Sequence, residues 1–141
     1  GSELLGRVKE GGPFPMFTSC CPGWINLMEK KYPQFKDNVS TAKSPQQMLG
    51  PVIKTYFADQ VGVKPEDVYS VSIMPCTAKK DEAKRPQHAM EDGEPYVDLV
   101  LTTRELGKLI KLQKIPFASL DEREYDDPLG ESTGAAAIFG A

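Results

Sequence analysis

The sequence predicts an α/β fold, a mostly parallel sheet flanked by helices. Two patterns point there. Apolar, β-branched runs alternate with segments of helical spacing, the order expected of parallel strands joined by helical crossovers. In addition, Cys21 and Cys76 each close a predicted strand and precede a predicted helix, which places both at the strand ends on one edge of such a sheet.

The elements follow in order. Glu3 to Glu10 can form a short helix, ended by Gly11-Gly12-Pro13. "FPMFTS" reads as a short buried strand running into Cys20-Cys21. Pro22 suits a first helical position, and Trp24, Leu27 and Met28 have helical spacing, so Cys21 falls at the helix N-cap. "DNVS" reads as a second short strand. Ser44 and Pro45 open the next helix, whose broad apolar stripe is Met48, Leu49, Val52, Ile53, Tyr56 and Phe57. Pro51 inside it predicts a kink near Gly50-Pro51. Val68 to Ile73 is a β-branched strand ending at Met74-Pro75-Cys76, and "TAKKDEAKR" starts a helix. Gly93-Glu94-Pro95 is a turn and "YVDLVLTT" another buried strand. Thr102 to Glu105 fits a capping box before a helix with Leu106, Leu109 and Ile110 on its apolar face. The terminal "ESTGAAAIFGA" begins a helix-like segment without a cap or polar tail. Gly1-Ser2 reads as a tag-cleavage scar. The two ends together suggest an excised piece of a longer protein.

Composition narrows the function classes. With 40% hydrophobic and 26% charged residues, 141 residues suffice for one globular domain. A formal net charge of −3 without a basic stripe argues against a nucleic-acid partner. No apolar run approaches the roughly 18 residues of a membrane span. Three cysteines in a chain of this length argue against a secreted disulfide framework and for cytoplasmic thiols, free or metal-bound.

The doublet Cys20-Cys21 calls for two roles, because neighbours on extended backbone point in opposite directions and a disulfide between them is strained. A helix N-terminus lowers a thiol pKa, so Cys21 and Cys76 suit thiolate chemistry. Two such cysteines are half of a Cys₄ zinc or iron–sulfur site, which needs two more ligands. Cys20 points away and His88 lies in a polar loop, so the site is incomplete. Each residue also has an ordinary reading: a buried free thiol for Cys21 or Cys76, a solvated helix face for Lys79 and Lys80, capping for Ser40 and Ser44, core filling for Met74.

In combination, "PMFTSCCPGW", "SPQQMLG", "IMPCTAKKDEA", "TTRELGKLIK", "IPFASL" and "GESTGAAAIFG" resemble, in order and spacing, the catalytic domain of iron-only [FeFe]-hydrogenases. The resemblance runs from Glu3 to Ala141 and implies one lobe, the N-terminal part, of a two-lobed catalytic domain. It also implies an H-cluster, a [4Fe–4S] cubane joined to a two-iron unit with CO and cyanide ligands, in an enzyme for reversible H₂ oxidation with ferredoxin or a similar electron carrier. Under it, Cys21 and Cys76 match cubane ligands, and the other two ligands belong to a third motif absent from this chain. Cys20 matches the proton-relaying cysteine and Lys79 the donor to a cyanide. Gln46 and Met74 match residues lining the two-iron unit. Ser40, Glu3 and Arg7 match outer members of the proton path, and the family's inner glutamate would lie just before Glu3. The rest of the catalytic domain is the implied partner, and the isolated chain is expected to be inactive and to carry no cluster.

Three alternatives stand beside this reading. Hydrogenase-like proteins of iron–sulfur assembly resemble the chain around "CPGW" and "MPC", but in the implied pattern lack the Cys20 equivalent. A sensory hydrogenase homologue often alters that same cysteine. A plain α/β interaction domain does not account for the motif order.

Overall fold

The computed structural model describes residues 1–124 and 126. The "ESTGAAAIFGA" segment lies outside the described residues.

Helix α1, Ser2–Glu10, stops at Gly11, whose left-handed φ of 87° lets its N–H turn back onto the Arg7 carbonyl. Helix α2, Pro22–Lys31, begins at Cys21 as expected. "FPMFTS" and "DNVS", expected as strands, each give one bridging residue, Phe17 paired parallel to Val39. Within "FPMFTS" Pro15 has no N–H to give a ladder, and Phe14 is half exposed rather than buried.

Helix α3, Pro45–Val52, is capped by the Ser44 side chain, which accepts from the Gln47 N–H. Just after Gly50-Pro51, where the sequence predicts a kink, the helix passes through a π-helical turn, Ile53–Phe57, into α4, Ala58–Val61. A π turn is a usual way to absorb a disrupted hydrogen-bond ladder inside a helix.

Strand β1, Val71–Met74, pairs parallel with β2, Leu99–Thr102, in the register Val71–Leu99 to Met74–Thr102. Helix α5, Ala78–Ala83, lies in the crossover between them and packs on β2 and on α2. Helix α6, Thr103–Leu112, opens with the expected capping box: Thr102 accepts from the Glu105 N–H, and the Glu105 carboxylate accepts from the Thr102 N–H. The fold is thus α/β with a parallel two-stranded sheet flanked by helices.

Among the described residues, five apolar side chains are buried against eight polar or charged ones. Ala83, Val97 and Val100 form the apolar core, with Met74 against it. The expected apolar stripe of this helix is only partly covered: Met48, Leu49 and Tyr56 are about half exposed, while Val52, Ile53 and Phe57 are partly buried. The inward positions are Gln46, Gln47, Gly50, Lys54 and Ala58. Lys54 is satisfied there by the Pro95 carbonyl and the Asp98 carboxylate, both at 2.8 Å.

Candidate metal and proton-transfer site

The doublet is set by its flanks. Phe17 lies edge-on to Trp24, ring centroids 5.4 Å apart, and edge-on to Phe35 at 5.8 Å. One aromatic cluster therefore grips both sides of Cys20-Cys21. Ser19 donates to the Ala42 carbonyl and ties the residue before the doublet to the 40–42 segment. At the start of α2 the Cys21 Sγ accepts the Trp24 N–H at 3.4 Å. Cys20 and Cys21 are exposed and Cys76 is half-buried.

Cys76 stands between β1 and α5, two residues before the helix begins. Its segment meets the doublet through Lys79. The Lys79 Nζ donates to the Cys20 carbonyl at 2.8 Å and to both oxygens of Glu82 at 3.0 and 3.2 Å. Lys79 and Glu82 are both buried. Glu82 Oε2 also accepts from Ser44 Oγ at 2.9 Å and Gln46 Nε2 at 3.3 Å. Gln46 donates further to the Lys79 carbonyl and accepts from Ser72 Oγ. Gln46, Ser72 and Met74 share a cavity of about 160 Å³ with Gly50. Four of the proposed site residues, Cys20, Gln46, Met74 and Lys79, thus belong to one neighbourhood.

Glu3, Arg7 and Ser40 form a second cluster. Glu3 accepts from Ser40 Oγ at 2.6 Å, from Arg7 Nη2 at 2.8 Å and from the Thr41 N–H at 3.2 Å. Ser40 above all, with Thr41 and Arg7, holds the Glu3 carboxyl down at about 2. Arg7 spends its remaining donors on the carbonyls of Pro13, Asp37, Asn38 and Val39. Ser40 Oγ accepts the Ala42 N–H, and Ala42 accepts from Ser19, so both clusters are pinned to the 40–42 segment.

Glu82 is the site residue that sequence reasoning missed. Its position in "TAKKDEAKR" reads as one more charge on a solvated helix. Its partners Ser44 and Gln46 lie 38 and 36 residues away, which no local pattern records. His88 is half-buried, with an unpartnered Nδ1. Burial, then the charge of Lys43, holds its pKa below the ordinary imidazole value.

The donor chemistry fits an iron–sulfur cluster in part. Cys21 and Cys76 offer two soft thiols, each at the mouth of a helix N-terminus, and α2 packs on α5. Among the described residues no group of three or more Cys, His, Asp or Glu side chains completes a metal site. No helix among them is long and apolar enough to cross a membrane.

The described residues thus set one thiol at the N-cap of α2 and another two residues ahead of α5, beside a parallel α/β core. The chain belongs to the family described as the iron only hydrogenase large subunit, C-terminal domain, which matches residues 1–141. It is 54% identical over 140 residues to iron hydrogenase 1 of Clostridium pasteurianum, covering 99% of this chain and 24% of that protein. It is 48% identical over 142 residues to the periplasmic [Fe] hydrogenase large subunit of Nitratidesulfovibrio vulgaris, covering 99% and 34%. The cytosolic Fe-S cluster assembly factor narfl of Danio rerio is also related, 40% identical over 122 residues, covering 85% and 30%. Among solved structures, the apo [FeFe]-hydrogenase HydA1 of Chlamydomonas reinhardtii, variant C377H, matches with a TM-score of 0.86 at 47% identity, covering 96% of this chain and 34% of that one. The chain spans about a quarter to a third of the length of these relatives. Relatives with cytosolic and periplasmic names both occur.

Proposed function

We propose that residues 3–141 form the N-terminal lobe of the catalytic domain of an iron-only hydrogenase that interconverts H₂ with protons and electrons, using a ferredoxin-type carrier in the cytoplasm. The observation that carries this reading is the Lys79 Nζ contact to the Cys20 carbonyl at 2.8 Å, which ties the segments of the two cysteine motifs together and supports a shared site. Cys21 and Cys76 hold iron of the cubane, and the remaining lobe supplies the other ligands. The H-cluster, when bound, supplies the redox chemistry. Around it, Lys79 presents an ammonium to anionic cyanide ligands, where a charge-assisted hydrogen bond is strong. Gln46 and Met74 line the two-iron unit. Cys20 holds and passes the proton, since a thiol can both donate and accept one. Ser40, Glu3 and Arg7 continue the path towards solvent. By itself the 141-residue chain carries half of the ligands and is inactive.

The test is a pair of variants in the complete enzyme. Cys20→Ser loses no iron ligand, so iron content stays full while hydrogen evolution falls by about a hundredfold or more, the size of a lost general acid–base. Cys21→Ser removes a thiolate ligand and leaves the protein iron-poor. Iron loss in Cys20→Ser together with full iron and activity in Cys21→Ser overturns the assignment. A second reading, an iron–sulfur assembly factor, draws on the likeness to narfl; hydrogen evolution from reduced viologen by the complete protein excludes it as the sole function.

A further inference from the structure

Glu82 lies outside every motif residue given a role above, and it is buried and ionisable. We infer that Glu82 is a positioning residue: through Lys79 it locks the backbone of Cys20 in place before any cofactor is present. The inference rests on the proposed reading for the importance of Cys20, and on geometry alone for the lock itself.

An ammonium has three N–H donors. In Lys79 one is satisfied by the Cys20 carbonyl at 2.8 Å, and the Glu82 carboxylate straddles the Nζ at 3.0 and 3.2 Å. With one N–H shared between the two carboxylate oxygens, the third serves a ligand without dismantling the lock. The carboxylate is itself held. Its Oε2 accepts from Ser44 Oγ at 2.9 Å and Gln46 Nε2 at 3.3 Å, and Ser44 also caps α3. The result is a rigid relay of contacts from the start of α3, through α5, to the carbonyl of Cys20. All four side chains of the relay, Ser44, Gln46, Lys79 and Glu82, are at least nine-tenths buried. In such surroundings an ammonium that loses its counter-charge is costly, so it leaves for water. The Cys20 carbonyl loses its partner when that happens.

The lock is testable on the full metal-free chain, with no turnover measured. Reductive methylation reports the freedom of each lysine, and alkylation with a maleimide reports that of each thiol, both read by peptide mass spectrometry. In the unaltered chain Lys79 should methylate far more slowly than exposed Lys30; equal rates overturn the inference. Glu82→Gln keeps the shape and removes the charge. It should speed methylation of Lys79 by about tenfold, the scale of one charged hydrogen bond, and raise the alkylation rate of Cys20 in step. Lys54 is the control, because it is also buried, more deeply than Lys79, and is held by Asp98 and Pro95 rather than by Glu82. An unchanged Lys79 rate, or a Lys54 rate that rises in parallel in a folded variant, overturns the inference. Where Glu82→Gln does not fold, Lys79→Met decides: faster Cys20 alkylation supports the lock, and an unchanged rate refutes it. A failed lock leaves the hydrogenase reading standing, and an inactive complete enzyme leaves the lock standing, because the two are read by different measurements.

Discussion

Glu3 shows how one side chain couples α1 to the site. Its carboxyl sits at about 2, against an ordinary 4.5, because Ser40, Thr41 and Arg7 all favour the charged form. A depressed acid stabilises the fold in full above its unfolded value and loses that contribution as pH falls from about 4.5 towards 2. Glu105, held at about 2 by Lys80 and its own cap, loses its contribution in the same window. Urea unfolding midpoints followed from pH 6 to pH 3 should therefore fall in the unaltered chain. The fall should be shallower in Glu3→Gln, with Glu105 keeping it from vanishing; an unchanged slope removes Glu3 from the account. The residues of this cluster were legible in the sequence only through family likeness. Nothing in "SELLGRVKE" marks Glu3 as the acceptor of Ser40, which lies 37 residues away.

The helices and strands were legible where the signal is local. Cys21, Ser44 and Thr102 all cap the helices that their proline or acidic neighbours foretell. The α3 stripe marks a helix correctly but is only partly buried, for a physical reason. Helical spacing tells which side of a helix is apolar, and the step from there to burial assumes that this side meets the core. In α3 and the turn after it, the inward side instead carries Gln46 to the Glu82 network and Lys54 to Asp98. Gly50 is the contact between them: a Cβ built there falls 2.8 Å from Val97 Cγ2 and 3.2 Å from the Tyr96 carbonyl. Gly50→Ala should cost about 1–3 kcal/mol by overpacking, read as a lower urea midpoint with an unchanged m-value. A variant as stable as the parent chain would mean that α3 does not press on the β2 entry.

For the whole chain, the imbalance between buried polar and exposed apolar groups governs behaviour in solution. One row of the sheet, with Val71, Ile73 and Leu99, stays open to solvent, as do Leu5 and Val8 on α1 and Leu112 and Phe117 near the end of the described chain. Apolar exposure on this extent favours dye binding and association. The isolated chain should brighten anilinonaphthalene sulfonate in its native state and scatter light increasingly with concentration. Ile73→Lys should lessen the scattering without shifting the unfolding free energy by more than about 0.5 kcal/mol, since that side chain is half exposed. Unchanged scattering in the variant clears the sheet of responsibility.

The contact between Lys79 and Cys20 spans 59 residues of sequence. Closing a loop of that length carries an entropic cost that only later packing repays. A ribosome delivers Cys20 and Cys21 first, and Cys76 and Lys79 long afterwards. On any nascent chain that stops short of Lys79 the Cys20 carbonyl lacks this partner, and the doublet is a pair of thiols ahead of α2. Formation of the Lys79–Cys20 contact is thereby ordered by translation: it waits for the second motif to emerge and for α5 to pack against α2.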